Sequence, residues 1–129
     1  MKRINISSGS PWEDVVGYSR AAKIGNIVEV SGTTAIENGA VIGIHDYYTQ
    51  TGFILRKIEK VLKEAGCEMK DVVRTRIFVC DISKWEEVAR AHAEFFKEIK
   101  PAATMIEVSK LIAPELLVEI EATAIECDK

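Results

Sequence analysis

The chain has 129 residues, an apolar fraction of 47% and a formal charge of −3 at neutral pH. That length suits a single domain, read as residues 1–129, able to bury roughly two thirds of the surface its unfolded form exposes. There is no basic surplus to gather a phosphate backbone, so nucleic acid is not an expected partner. The opening residues Met-Lys-Arg-Ile-Asn-Ile-Ser lack the apolar run of a secretory leader, and no stretch reaches bilayer length. A cytoplasmic protein with no membrane partner is expected. Cys67, Cys80 and Cys127 are odd in number without a Cys-x-x-Cys pair, and His45 and His92 are scattered. This pattern fits neither a disulfide framework nor a metal site.

In chain order, Gly25-Asn26 separates two apolar runs, residues 20–24 and 27–31, and predicts a two-residue hairpin that needs positive φ. A looser turn is expected at Glu37-Asn38-Gly39. Asp46 is placed to cap a helix running to about Ala65. Its apolar stripe of Tyr47, Phe53/Ile54, Ile58, Val61/Leu62 and Ala65 follows the helical period, and Gly66 stands at the favoured position past its end.

Residues 71–80 read as a strand with Val73, Thr75, Ile77 and Val79 on one face and Arg74, Arg76, Phe78 and Cys80 on the other. Ser83-Lys84-Trp85-Glu86 matches a capping box with Ile82 as the staple residue. The helix it predicts carries Trp85, Val88/Ala89, His92, Phe95/Phe96 and Ile99 on one stripe, and Pro101 ends it. Strands at 104–108 and 117–125 close the chain. In the last one Val118, Ile120, Ala122 and Ala124 share a face, with Leu117, Glu119, Glu121, Thr123 and Ile125 opposite.

The order ββ–α–β–α–β–β describes an α+β fold. Right-handed crossovers put both helices on one side of one sheet. The other face is expected to hold Arg74, Arg76, Phe78, Met105, Glu107, Leu117, Glu119 and Glu121. Apolar Phe78, Met105 and Leu117 among the charges point to a subunit contact. His92, Trp85 and Phe95 are read as core, and Cys80 as an inert thiol.

Several stretches, in order, resemble the RidA/YjgF family: Gly17-Tyr18-Ser19-Arg20-Ala21, Val30-Ser31-Gly32, Gln50-Thr51, Val72-Val73-Arg74-Thr75, Lys100-Pro101-Ala102, Glu107-Val108 and Val118-Glu119-Ile120-Glu121-Ala122. The resemblance implies a chorismate-mutase-like fold, one mixed sheet with two helices on one face. It also implies a homotrimer with small-molecule clefts between subunits, and no cofactor. The activity it implies is hydrolysis of reactive 2-imino acids, such as 2-iminopropanoate, to 2-oxo acids and ammonia. A trimeric metabolite-binding protein without turnover, and a hydrolase of a related carbonyl, carbamate or aminoacrylate compound, are the alternatives.

By the same resemblance Glu119 is the water-activating carboxylate, while Tyr18 and Gly32 shape the pocket. Ala103, Thr104 and Met105 fall where the family binds substrate, and Ala103 stands where deaminating members carry a carboxylate-binding arginine. Losing such a charge-assisted partner removes about 1.5–3 kcal/mol, ten- to hundred-fold in affinity. An altered substrate preference is therefore expected. Arg20 and Arg76 are the candidate replacements for that arginine. Trp12 lies in the preceding loop, where it either covers the pocket or pins the N-terminal arm.

Overall fold

A computed structural model describes residues 1–127. The elements, in order, are β1 (Arg3–Ile6), α1 (Pro11–Val16), β2 (Ala21–Ile24), β3 (Ile27–Thr34), β4 (Ile36–Glu37), β5 (Ala40–Val41), α2 (Tyr47–Glu64), β6 (Val72–Val79), α3 (Trp85–Phe96), β7 (Ala102–Glu107) and β8 (Val118–Ile125). Short 3₁₀ turns precede β6 (Met69–Asp71) and α3 (Ile82–Lys84). Six strands form one sheet in the order β1-β2-β3-β8-β6-β7, with β4 and β5 as a separate ribbon. Only β6 and β7, joined through α3, run parallel in the large sheet. A mixed sheet with its two main helices packed together on it agrees with the expected fold.

Local chemistry explains the elements. Ile24 pairs with Ile27 across Gly25-Asn26, and Gly25 alone takes positive φ (61°), which suits a two-residue hairpin. Asp46 caps α2 by accepting the Thr49 N–H at 3.0 Å. At the other end the Gly66 N–H reaches Lys63 O and the Cys67 N–H reaches Leu62 O, a Schellman closure in which Gly66 (φ 84°) turns the chain out. The buried face of α2, with Ile54, Leu55, Ile58 and Leu62, meets Val28 and Val30 of β3 and Val118, Ile120, Ala122 and Ala124 of β8 in one core. Gln50 sits wholly inside it. Its amide donates to Gly43 O and Glu115 O, and its carbonyl accepts from the Leu117 N–H.

Several expectations are corrected. The sequence reading missed β1, α1 and the β4–β5 ribbon, which are short. Val73 does not share the inner face: a register shift between Val72 and Arg74 inserts it as an extra residue, so Val72 is buried and Val73 exposed. Ser83 is not the helix cap; Asp81 accepts from the Ser83 N–H and opens a 3₁₀ turn first, so α3 begins one residue later, at Trp85. Trp85 then lies outside the core at 51% exposure. In the parallel pair Met105 sits beside Ile77 and Glu107 beside Val79. Both therefore belong to the helix-covered side, where Met105 packs on the core and Glu107 accepts the Ile82 N–H. Leu117 precedes β8 and also packs on the core. The bare face instead carries Arg74, Arg76, Phe78, Ala102, Thr104 and Ile106 beside Glu119, Glu121 and Thr123.

Candidate functional site

Glu119 is held on β8 between wholly buried Val118 and Ile120, so its side chain is forced onto the bare face, next to Phe78 of β6 and Thr34 of β3. Opposite it, β3 carries a bulge: Val30 pairs with Ala122 but Thr33 with Ile120, leaving one extra residue across Ser31-Gly32. The bulge brings Gly32 against the Glu119 carboxylate. A Cβ added at Gly32 would lie 3.0 Å from Glu119 Cδ and closer still to one carboxylate oxygen. The Glu119 carboxylate thus occupies the volume that a side chain at position 32 would fill, and any such side chain would have to displace it.

Arg20, just before β2, closes the group. Its Nη2 donates to Gly32 O at 2.5 Å, and its guanidinium lies 5.8 Å from the centre of the Tyr18 ring. Ser31 Oγ donates to Ser19 O at 2.7 Å and the Ser31 N–H to Arg20 O, which fix the Tyr18–Arg20 segment along β3. Burial pushes the Glu119 carboxyl above the usual glutamate range; Glu121 pushes the same way and Arg20 pulls back. Beside the group a shallow cavity of about 630 Å³ opens on the bare face, lined by Tyr18, Ser19, Glu29, Ser31 and Glu121.

Four of the sequence-derived candidates, Tyr18, Arg20, Gly32 and Glu119, thus come together. The other four do not join them within one chain. Ala103 pairs with Thr75 and Met105 with Ile77, on the helix side, whereas Glu119 points the opposite way. The strand β6 also separates β7 from β8, a lateral distance of about 10 Å. Thr104 and Arg76 do face the bare side, paired with each other, and Arg76 is also opposite Glu121; both are exposed.

His92 is part of the packing: its Nε2 lies 2.9 Å from Thr75 Oγ1, its ring is 4.6 Å from that of Phe96, and burial lowers its pKa. Cys80 contacts Leu116 O at 3.4 Å. Trp12 is 57% exposed; the adjacent Glu13 pins the arm instead, accepting from the Ser8 N–H and hydroxyl. Those hydrogen bonds, the hydroxyl's first, hold the Glu13 carboxyl below its ordinary range. The sequence reading missed Glu13, whose signal was a serine-rich turn directly before an acidic first helical turn.

A mixed sheet backed by helices on one face and bare on the other is the architecture of a small α+β protein. Residues 10–126 match the family described as Endoribonuclease L-PSP, and the chain belongs to this family, the RidA/YjgF family of the resemblance. It is 35% identical over 124 residues to the 3-aminoacrylate deaminase RutC of Acinetobacter baylyi, covering 95% of this chain and 97% of that one. An uncharacterised Streptomyces coelicolor protein is 34% identical, over 92% of this chain and 89% of its own. A YjgF-family crystal structure from Mycobacterium tuberculosis superposes with a TM-score of 0.88 at 51% identity, covering 96% of this chain and 99% of that one. Among the described residues, no helix is long and apolar enough to cross a membrane.

Proposed function

We propose that the protein hydrolyses a small imine or enamine carrying a carboxylate, without a cofactor, as a cytoplasmic homotrimer with its clefts between subunits. The single observation that carries this reading is the Glu119 carboxylate, desolvated against Gly32 and within the field of Arg20. A carboxylate whose pKa is raised by burial is a stronger base than an ordinary glutamate, as proton transfer from water requires. In the proposed reaction Glu119 takes a proton from a water as its oxygen bonds to the imine carbon. That proton passes to the nitrogen to give a carbinolamine. The hydroxyl proton then moves to the nitrogen as the C–N bond breaks, so that ammonia leaves and a carbonyl remains. An enamine substrate enters the same path once a proton moves from its nitrogen to its carbon. Tyr18 forms one wall of the site.

Arg20 is the proposed anchor for the substrate carboxylate, in a pose shifted from that of members with an arginine at the place of Ala103. Arg20 is half-buried beside Glu119, while Arg76 is exposed two residue pairs along the sheet. The similarity to a 3-aminoacrylate deaminase supports an enamine substrate of that kind over 2-iminopropanoate. Support for the trimer comes from the bare face, where Phe78 and Ile106 (46% exposed) have no helix above them, and from Ala103, which a single chain keeps away from Glu119.

The test generates 2-iminopropanoate and 3-aminoacrylate in situ and follows ammonia release with wild type and Ala103→Arg. Acceleration with 3-aminoacrylate by wild type, and a gain with 2-iminopropanoate for Ala103→Arg, are expected. Saturable binding of the product without acceleration by either protein would overturn the hydrolase in favour of a binding protein. A monomer in sedimentation would overturn the cleft between subunits.

A further inference from the structure

A second cavity, of about 430 Å³, lies on the helix side of the sheet between α2, the turn after β1 and the β4–β5 ribbon. Four cations line it, Arg20, Arg56, Lys57 and Lys60, against two carboxylates, Glu37 and Glu64. None of these six side chains forms a salt bridge among the described residues. Phe53, Ile36 and Val61 supply an apolar wall, and Ser7 and Ser8 the polar rim.

Two of the cations are held in place rather than solvated. Lys57 Nζ is tied to Thr34 O and Ile36 O at 3.0 and 3.1 Å and lies 5.9 Å from the centre of the Phe53 ring. Arg20 spends Nη2 on Gly32 O, and its Nε is buried without any partner. The Arg20 side chain also lines the cavity, and a guanidinium there pairs best with an anionic oxygen. The crowding is also electrostatic: burial and then the nearby Arg20 charge push the Lys57 ammonium below its usual range. A bound anion would relieve this crowding.

We propose that this cavity is an anion site for a small phosphate-bearing molecule, distinct from the Glu119 site and sharing only Arg20 with it. Arg20 and Lys57 form the floor, Arg56 and Lys60 clamp from the exposed face of α2, and the Phe53–Val61 wall accepts an organic portion. A doubly or triply charged phosphate matches the surplus of two positive charges better than a monocarboxylate does. Because Arg20 also tempers the Glu119 carboxyl, an anion paired with Arg20 leaves Glu119 harder to ionise, so occupancy of one site is read at the other.

Isothermal titration with inorganic pyrophosphate on the assembled wild-type protein tests this. Saturable binding of one pyrophosphate per chain is expected, weakening as salt is raised. The double substitution Arg56→Gln/Lys60→Gln, at exposed positions that leave the core intact, should weaken it about tenfold or more. Lys57→Met should abolish it; the exposed pair keeps the test valid if that variant misfolds. Absence of saturable binding in the millimolar range, or equal affinity in the double variant, would overturn the proposal. Binding of a single-stranded oligoribonucleotide without binding of pyrophosphate would overturn it equally, by assigning the basic cavity to RNA.

Discussion

The carboxylate of Glu119 occupies the space above Gly32 that a β-carbon would fill. Two features of the chain cause this contact. The bulge in β3 lifts Gly32 toward its neighbour, and the flanking pair Val118 and Ile120 prevents β8 from turning its glutamate elsewhere. A carboxylate seated on backbone rather than on side chains loses water from one side while keeping access from the other.

Gly32→Ala should therefore act on Glu119 rather than on the backbone, since Gly32 has no positive φ to lose. The methyl group displaces the carboxylate. Turnover is expected to fall ten-fold or more, consistent with general-base contributions of about 10²–10⁴, with only a small loss of thermal stability. A variant that keeps its rate would show that the position of the carboxylate is unimportant.

The raised carboxyl of Glu119 has a stability consequence. A glutamate whose folded pKa exceeds its unfolded value binds more protons when folded. Its contribution is intact below the unfolded value and is lost as pH rises through the folded one. Glu119→Gln should thus be more stable than wild type at pH 7, with the gap closing as pH falls toward the ordinary glutamate range. Denaturant titrations of both proteins at several pH values check this. A gap that stays constant with pH would contradict the desolvated site.

His92 runs the other way. Burial lowers its pKa, so the folded state resists protonation, and its contribution is intact above the ordinary histidine value and lost as pH falls below it. Between about pH 7.5 and 5.5, wild type should lose stability relative to His92→Gln, which has no proton to take up there. Parallel pH dependence in the two proteins would remove this account of the Thr75–His92 contact.

Gln50→Leu retains volume but strands two backbone groups, Glu115 O and the Leu117 N–H, since Gly43 O keeps the Asp46 N–H. At about 1–3 kcal/mol for each buried unsatisfied group, partly relieved by relaxation, a loss of about 2–4 kcal/mol is expected in chemical denaturation. A loss below about 1 kcal/mol would mean that these groups find other partners.

Much of this was legible in the sequence where a local rule decides the structure. The Gly25-Asn26 hairpin, the Asp46 cap and the alternation of Val118 through Ala124 all appear as read, because each is fixed by neighbouring residues. The misreadings share a different cause. Val73 alternates correctly with Thr75 and Ile77 on paper, but the bulge opposite β8 shifts it by one, and no residue type marks that shift. Met105 was assigned to the Glu119 face because β7 was phased by its own pattern; its register is set by the parallel partner β6, through a long crossover. Trp85 and Ser83 failed because Asp81 competes as the cap two residues earlier. The Tyr18–Gly32–Glu119 group was accessible through the family resemblance, whereas the unpaired cations around Lys57 lie on a helix face that reads as ordinary solvated surface.

The central claim is that Glu119 drives water onto an imine carbon, and the rate of ammonia release from 3-aminoacrylate with wild type and Glu119→Gln, at equal folded concentration, tests it most directly. The account predicts acceleration over the uncatalysed reaction by wild type and a loss of about a hundred-fold or more in the variant. Equal acceleration by both proteins would contradict it.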